Sequence, residues 1–402
     1  LITQGSMPQG WAEYEWRLKT DAGRYGVRTR FWDGSASSGR RLLIYAEQGM
    51  GDVLMFARYV QLVRNRAPEL VLQVPPQLGR LMRMSAARFN WDVTEWVERD
   101  SRVETQEVFY DHELPLLSLI HVCGFPVERA TNPYLDVSDE LVRHWGRRLG
   151  TPSPGKLRVG LVWAGNPQRL DDGLRCIPVD QLALLAAATT VDFVSLQMEA
   201  KAKYRNSQIP LPIFDPTPEI RDFADTAAIM RNLDLVLSID TAAAHLAGAM
   251  GVPCWVLLSK KPDWRWQMGA IEQPWYGHHR SFVVEHNRDW APVLRRVADE
   301  LNRQEVVTAL LEARREALPS TAAYAPTDAT PGHHDSWVDS QFIKDAAAAQ
   351  AKIEQALSFH QQGKLADAEA IFKAILLTQP NHSGALHFLG LIHSARGEHT
   401  AA

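Results

Sequence analysis

Leu235-Val-Leu-Ser-Ile239, then Asp240-Thr-Ala-Ala-Ala-His245-Leu-Ala-Gly-Ala-Met250, then Gly251-Val-Pro253, is the stretch whose reading decides the fold. The first five residues are a short, nearly continuous apolar run, the pattern of a strand covered on both faces. Residues 242–250 read as a helix and 253–258 as the next strand. In an open α/β sheet, ligands bind outside the carboxyl ends of the strands. A helix starting there offers N–H groups without intrahelical acceptors and the positive end of its dipole, which together suit a diphosphate. Thr241 adds a hydroxyl, Ala242 and its neighbours keep the helix surface low, and His245 lies one turn beyond Thr241 on the same side. The competing reading is a packed βα corner, with Asp240 as N-cap and His245 hydrogen-bonded in the core.

The same alternation extends outward in both directions. On the C-terminal side, residues 289–304 read as a closing amphipathic helix. On the N-terminal side, residues 222–232 and 178–188 read as helices, and 191–196 and 157–163 as strands. Thr151-Pro-Ser-Pro-Gly155 is a linker, and ahead of it lies another α/β segment. Its strand at 42–46 leads into Glu47-Gln-Gly49-Met-Gly51-Asp52, a helix follows with apolar residues at Val53, Phe56, Ala57, Val60 and Val63, and 70–74 is the next strand. The expected division is a helical connector at 1–20, a first α/β domain at 21–150, a second at 156–316, a flexible linker at 317–345 and helical repeat units at 346–402. The last rests on Gly363, Ala368, Phe372 and Pro380, which have tetratricopeptide spacing, and on Leu386, Leu389, Gly390 and Gly397, which begin a second copy. The absence of an initiator Met reads as a piece of a longer polypeptide.

Two further loops carry candidate chemistry. In the glycine loop, Gly49 and Gly51 permit tight backbone and close approach, and Asp52 stands at the mouth of the first domain as a candidate base or as a helix cap. Two glycines without a Walker Lys make neither a dinucleotide fingerprint nor a P-loop. Trp163-Ala-Gly165-Asn166-Pro167 follows the first strand of the second domain. Asn166 can hydrogen-bond a ligand or shape the turn, and Arg175, just ahead of Pro178, can hold a phosphate through paired N–H groups. Trp264, Trp266, Trp275 and Tyr276 read either as stacking platforms or as core. His278-His279 and His333-His334 lack spaced partners, so no metal is expected.

Composition limits the alternatives. With 402 residues, two or three domains are expected. The 43 Lys and Arg against 47 Asp and Glu, a net charge of −4, give no global attraction to nucleic acid or anionic membrane. The three cysteines, Cys123, Cys176 and Cys254, are far apart and odd in number, which fits a reducing cytoplasm. No signal peptide or clean membrane span is read.

The Asp240–Ala249 segment resembles the donor-binding motif of the ADP-heptose:lipopolysaccharide heptosyltransferases, glycosyltransferase family nine, with Ala242 where that family usually has Gly. Gly51-Asp52 is similar to the family's N-terminal Gly-Asp, whose Asp is the proposed base. Arg175-x-x-Pro178 falls where the family has Lys-x-Trp-Pro. The chain is more similar still to bacterial tetratricopeptide-repeat proteins with a related transferase domain. The matching segments are Gln48 to Asp52, Trp163 to Pro167, Val194 to Gln197, Asp263 to Trp266 and Trp275-Tyr276, in order, with Gly10 to Arg17 resembling the connector.

The resemblance implies a GT-B fold, two Rossmann-like domains of parallel sheet with a cleft between them. It implies a metal-independent, inverting transfer from a nucleotide-diphosphate sugar to an acceptor hydroxyl on a glycan or protein. Asp52 would be catalytic, and Asp240, Thr241, Ala242, His245, Arg175, Asn166 and Gln197 would bind the sugar donor. The repeats would offer a protein-docking surface. The alternatives are a nucleotide-sugar 2-epimerase on the same fold, or a repeat scaffold whose transferase-like domain is inactive.

Overall fold

The structure, a computed structural model, describes residues 7–20, 31–35, 40–63, 66–67, 69–99, 108–122, 133–166, 172–198, 209–266, 275–286, 289–317 and 365–378. It divides into two compact units, 1–323 and 324–402.

In the first unit, helix α1 (Met7–Tyr14) precedes strand β1 (Arg41–Tyr45), helix α2 (Met50–Phe56), strand β2 (Glu69–Val74), helix α3 (Pro76–Phe89) and strands β3 (Val93–Glu98) and β4 (His112–Pro115). Helix α4 (Asp139–Leu149) leads to strands β5 (Leu157–Val162), β6 (Val191–Ser195) and β7 (Ile213–Phe214). Helix α5 (Phe223–Met230), strand β8 (Leu235–Ile239), helix α6 (Ala242–Ala249), strands β9 (Cys254–Leu258) and β10 (His279–Val283), and helices α7 (Ala291–Leu301) and α8 (Gln304–Ala317) complete it.

The strands form two wholly parallel sheets, one ordered β3-β2-β1-β4 and the other β10-β9-β8-β5-β6-β7. Renumbered within its own half, the second sheet runs 3-2-1-4-5-6 from one edge, the doubly wound order of dinucleotide-binding folds, and the first sheet follows the same order as far as its fourth strand. Each sheet reverses its winding at one place: between β1 and β4, and between β5 and β8. In open sheets of this kind the loops after such strands diverge to opposite faces and leave a crevice where ligands bind.

The sequence accounts for the central strands. Every residue of β5 and β8 is buried, as continuous apolar runs require when helices cover both faces. Buried Arg158 lies within β5 and sends its guanidinium to the carbonyl of Gly150 at 2.8 Å. The edge strands were not legible. β3 alternates polar residues with a half-buried face, β4 carries Pro115, and β7 is two residues long. Residues 178–188, expected as an α-helix, form a 3-10 helix over Val179–Ala187. Its final carbonyl is taken by the Asn302 side chain at 2.8 Å, a tertiary partner invisible in local sequence.

The halves share one continuous core. It runs from Leu42 and Ile44 of β1 through Val53, Leu54 and Phe56 of α2 to Leu246, Val236 and Val256 of the second half. Helix α4, placed by sequence in the first half, packs on α5 of the second, where the Trp145 indole N–H donates to Asp225 Oδ1 at 3.1 Å. Arg80 of α3 meets Asp222 and Asp225 of α5, each at 2.7 Å, and Asp136 joins Arg88 of the first half to Arg231 of the second.

In the second unit, helix α9 (Leu365–Thr378) buries Ala368 and Phe372, two of the residues on which the repeat reading rests. The remaining repeat residues and the linker beyond Ala317 lie outside the described residues. No helix among the described residues is long and apolar enough to cross a membrane.

Candidate functional site

The site lies where the two winding reversals meet. β8 delivers Asp240 and Thr241 to the start of α6, and β5 delivers Trp163 to Asn166 beside them. Thr241 is the N-cap residue by backbone position, but its hydroxyl makes no cap. It is hydrogen-bonded instead to Ser238 Oγ at 3.0 Å. Helix α5 shows the contrast, since Asp222 caps it through the amides of Ala224 and Asp225 at 2.8 and 3.3 Å. The first turn of α6 thus starts without a side-chain cap, while Thr241, Ala242 and Ala243 remain half-exposed. Uncapped first-turn amides and the helix dipole make an anion-binding terminus.

Arg175 is buried and reaches this turn. Its Nη1 donates to the Asp240 carbonyl at 2.7 Å and lies 3.7 Å from Asp240 Oδ2. Burial raises the Asp240 carboxyl above its ordinary value, the Trp266 indole works against that rise, and the charge of Asp263 adds to it. Asn166 is exposed at the end of the β5 loop, and Pro167 lies outside the described residues.

From the other half, α2 packs directly on α6. Gly51 is required by close approach, because a Cβ there would lie 2.9 Å from His245 Cδ2 and 3.5 Å from the Ala242 Cα. Gly49 has an ordinary extended backbone, and the residue in the left-handed region is Gln48, at φ +62°. That conformation is uncommon outside glycine. Asp52 stands in the first turn of α2, 6% exposed, and its Oδ2 accepts the Gly49 N–H at 3.0 Å. Its Oδ1 accepts from Arg265 of the second half, through Nε at 3.0 Å and also through Nη2. Asp52 is therefore both a helix cap and half of an ion pair joining the two halves.

Two expected ligands of the sugar donor are corrected. Gln197 is fully buried, its Oε1 accepting the amides of Trp163 and Ala164 at 2.9 and 2.8 Å while its Nε2 donates to the Ala164 carbonyl at 2.9 Å. It shapes the turn after β5 rather than lining the cleft. His245 is 2% exposed because the helix turns its side toward α2, not toward the crevice. Its ring stacks on Trp266 at 5.1 Å and its Nδ1 is hydrogen-bonded to the Tyr276 hydroxyl at 3.0 Å. It supports the first turn of α6 from below.

Burial holds the His245 imidazole well below its ordinary value of 6.5, helped by the charge of Arg265. The folded state therefore favours neutral His245. The associated stability is complete above pH 6.5 and is lost as pH falls from 6.5 toward the depressed value. We expect the unfolding free energy to fall there with a slope of up to about 1.4 kcal/mol per pH unit from this group. His245→Gln should flatten that part of the profile in urea melts at pH 7 to 5. An unchanged slope would remove His245 as its source.

Sequence reasoning missed Arg265 as a site residue, although it lies in the quoted Asp263–Trp266 segment. It also missed the role of the connector. The Tyr14 hydroxyl donates to Gln48 Oε1 at 3.0 Å, and Arg17 grips Glu47 through Nη2 at 2.7 Å and Nε at 3.2 Å. Trp11 meets Phe56 and Trp264 edge-on, both at 5.5 Å, and Trp275 at 6.0 Å. Arg58 is buried, donating to the Trp275 carbonyl at 3.1 Å and the Tyr134 hydroxyl at 3.2 Å. The aromatic-rich loop is thus core between the halves, with Trp266, Trp275 and Tyr276 buried. His279, half of a suspected pair, donates to the Ala244 carbonyl at 3.0 Å. Among the described residues no group of three His, Cys, Asp or Glu could hold a metal ion.

The strand order defines a two-sheet, doubly wound α/β protein in which the uncapped start of α6 packs beside Gly51 of the other half. Comparison with known proteins adds distant likenesses. The chain is 28% identical over 320 residues to the Caulobacter vibrioides protein FlbA, covering 75% of this chain and 53% of that one. The chain thus spans about half the length of the curated relative it matches. Among solved structures it is similar to an ADP-heptose lipopolysaccharide heptosyltransferase II of E. coli, with 14% identity, a TM-score of 0.45 and coverage of 68% and 99% of the two chains. It is also similar to a glycosyl transferase of family 9 from Veillonella parvula, with 13% identity, a TM-score of 0.42 and coverage of 70% and 100%. No protein-family model matches the chain. At such distances these likenesses settle neither fold nor function, and the strand order carries the fold.

Proposed function

We propose that the protein is a glycosyltransferase that moves a sugar from a nucleoside-diphosphate sugar to an acceptor hydroxyl. The observation that carries this reading is the uncapped, half-exposed first turn of α6, with Arg175 bonded to the Asp240 carbonyl and Gly51, the neighbour of Asp52 in the opposite half, packed close to Ala242 and His245. The amides of that turn and the Arg175 guanidinium bind the diphosphate and stabilise the charge that grows as the sugar leaves. The acceptor oxygen forms the new bond to the anomeric carbon, the bond from that carbon to the diphosphate breaks, and the diphosphate departs with the electron pair. The acceptor proton goes to an Asp52 oxygen. Attack from the side opposite the leaving group inverts the anomeric centre. In this scheme Thr241 and Asn166 hydrogen-bond the nucleotide sugar, and Asp240 accepts from a sugar or ribose hydroxyl. No metal takes part in this scheme. The cytoplasm, where nucleotide sugars are made, is the proposed location, with a protein or glycan as acceptor and the helical segment around α9 as a docking element.

A panel of UDP-, GDP-, ADP- and dTDP-sugars, screened for thermal stabilisation of the full chain, identifies the ligand, since anything binding the folded state selectively raises the melting temperature. Arg175→Ala should then weaken that ligand about tenfold or more in calorimetry, the loss of a charge-assisted hydrogen bond. Unchanged affinity would take Arg175 out of the site. The inactive-scaffold reading is favoured by one observation, the engagement of both Asp52 oxygens. Failure of every nucleotide sugar to bind would decide for it.

A further inference from the structure

Arg265 is the charged group at the joint that the proposed chemistry leaves unused. It is 8% exposed and comes from the loop after β9. It donates Nε and Nη2 to Asp52 and Nη1 to Asp263, with its guanidinium 4.2 Å above the Trp264 ring. Burial works against its charge, but Asp52 and Asp263 more than offset this, so the guanidinium stays protonated. The neighbourhood matters. Asp52 follows Gly51, which touches Ala242 at the start of α6, and the charge of Arg265 is felt at both Asp240 and His245.

The surrounding charges are out of balance for a diphosphate site. Asp52, Asp240 and Asp263 face Arg175 and Arg265, three carboxyl groups around two guanidiniums. An anion entering there meets one cation at the α6 terminus and a second already spent on carboxylates. A guanidinium paired with a carboxylate can exchange it for a phosphate, because the two present similar pairs of oxygens to the same planar fork. The carboxylate so released is also the proposed base, and a base must have an oxygen within reach of the acceptor proton.

We propose that Arg265 is a second ligand for the diphosphate of the sugar donor, and that it exchanges Asp52 for a phosphate oxygen when the donor binds. The exchange adds a positive charge from the loop after β9 to the anion site and frees Asp52 Oδ1 for the acceptor hydroxyl. It also keeps the carboxylate paired until the donor arrives, which orders the two events. This inference rests on the glycosyltransferase reading above and assigns it a further residue.

The test is a double-mutant cycle on the full chain, with inorganic pyrophosphate as probe in calorimetry and the melting temperature recorded for every variant. Asp52→Asn should tighten pyrophosphate, because Arg265 no longer has to leave a carboxylate. Arg265→Gln should weaken it about tenfold or more, the loss of a charge-assisted hydrogen bond. Arg265→Lys should recover only part of the loss, since an ammonium cannot present the fork. In the Arg265→Gln background, Asp52→Asn should have no further effect. Equal tightening by Asp52→Asn in both backgrounds would mean that Asp52 acts only by repulsion, and would overturn the proposal. So would wild-type affinity in folded Arg265→Gln. Should Arg265→Gln fail to fold, Arg265→Lys replaces it in the cycle, and equal tightening by Asp52→Asn in the wild-type and Arg265→Lys backgrounds overturns the exchange. Absence of pyrophosphate binding in the folded wild-type protein would overturn the diphosphate site itself, and the proposal with it. Binding to the wild type with no dependence on Arg265 removes only the exchange.

Discussion

Asp52→Asn is expected to lower the rate of sugar transfer by about 10²- to 10⁴-fold, the usual contribution of a positioned general base. The substitution keeps the shape of the side chain. An amide oxygen can still accept from Arg265, so the joint between the halves is preserved. What the amide cannot do is take a proton from an attacking hydroxyl. Its NH₂ also cannot accept the Gly49 N–H that Oδ2 accepts at 3.0 Å, so a stability loss of about 0.5–2 kcal/mol accompanies the change, as for a lost helix cap. Binding of the nucleotide sugar should survive and, with Arg265 held by a neutral amide oxygen instead of a carboxylate, tighten. The assay follows single-turnover transfer from whichever nucleotide sugar stabilises the protein, with affinity measured separately. A variant that binds and transfers at the normal rate would reduce Asp52 to a cap and an ion-pair partner.

Arg17→Ala should destabilise the protein by about 3–5 kcal/mol, although Arg17 lies in a connector ahead of the first sheet. Its side chain is 12% exposed and that of Glu47 only 2%, and Arg17 also bonds Ser118 Oγ at 2.8 Å. Removing the guanidinium takes two charge-assisted hydrogen bonds from a carboxylate buried at the edge of the glycine loop. That loss exceeds any net value of the pair, because the remaining buried charge keeps its desolvation penalty with less to offset it. Denaturant melts of Arg17→Ala and of Arg17→Ala/Glu47→Gln separate the two effects. The double variant should recover a large part of the loss, since Gln buries no charge. Equal stability of wild type and Arg17→Ala would show that the connector does not brace the loop. The functional consequence is local. Glu47 adjoins Gln48, whose left-handed backbone is tied to Tyr14, and Asp52 starts the helix that follows.

Much of the site was legible as types of residue at the ends of strands. Asp240, Thr241 and Arg175 gather at one turn, and Gly51, beside Asp52, packs on the helix that follows it from the other half. His245 and Gln197 were misread for one reason. Position along a helix or after a strand places a Cα, but which neighbour a side chain meets depends on what packs there. For His245 that neighbour is Gly51 of α2, and for Gln197 it is the backbone at Trp163 and Ala164. Gly49 was credited with a backbone freedom that Gln48 in fact exercises.

By itself the sequence determined the βα alternation, the parallel character of the central strands and the loops that end them, because hydrophobic period and helix starts are written over a few neighbouring residues. Only the tertiary structure decided the strand order, the edge strands, the bracing of the glycine loop by Tyr14 and Arg17, and the pairing of Arg265 with Asp52. Those contacts join residues 30 to 213 positions apart. Their energy comes from pairing charges and burying aromatic surface between the halves, which no local pattern encodes.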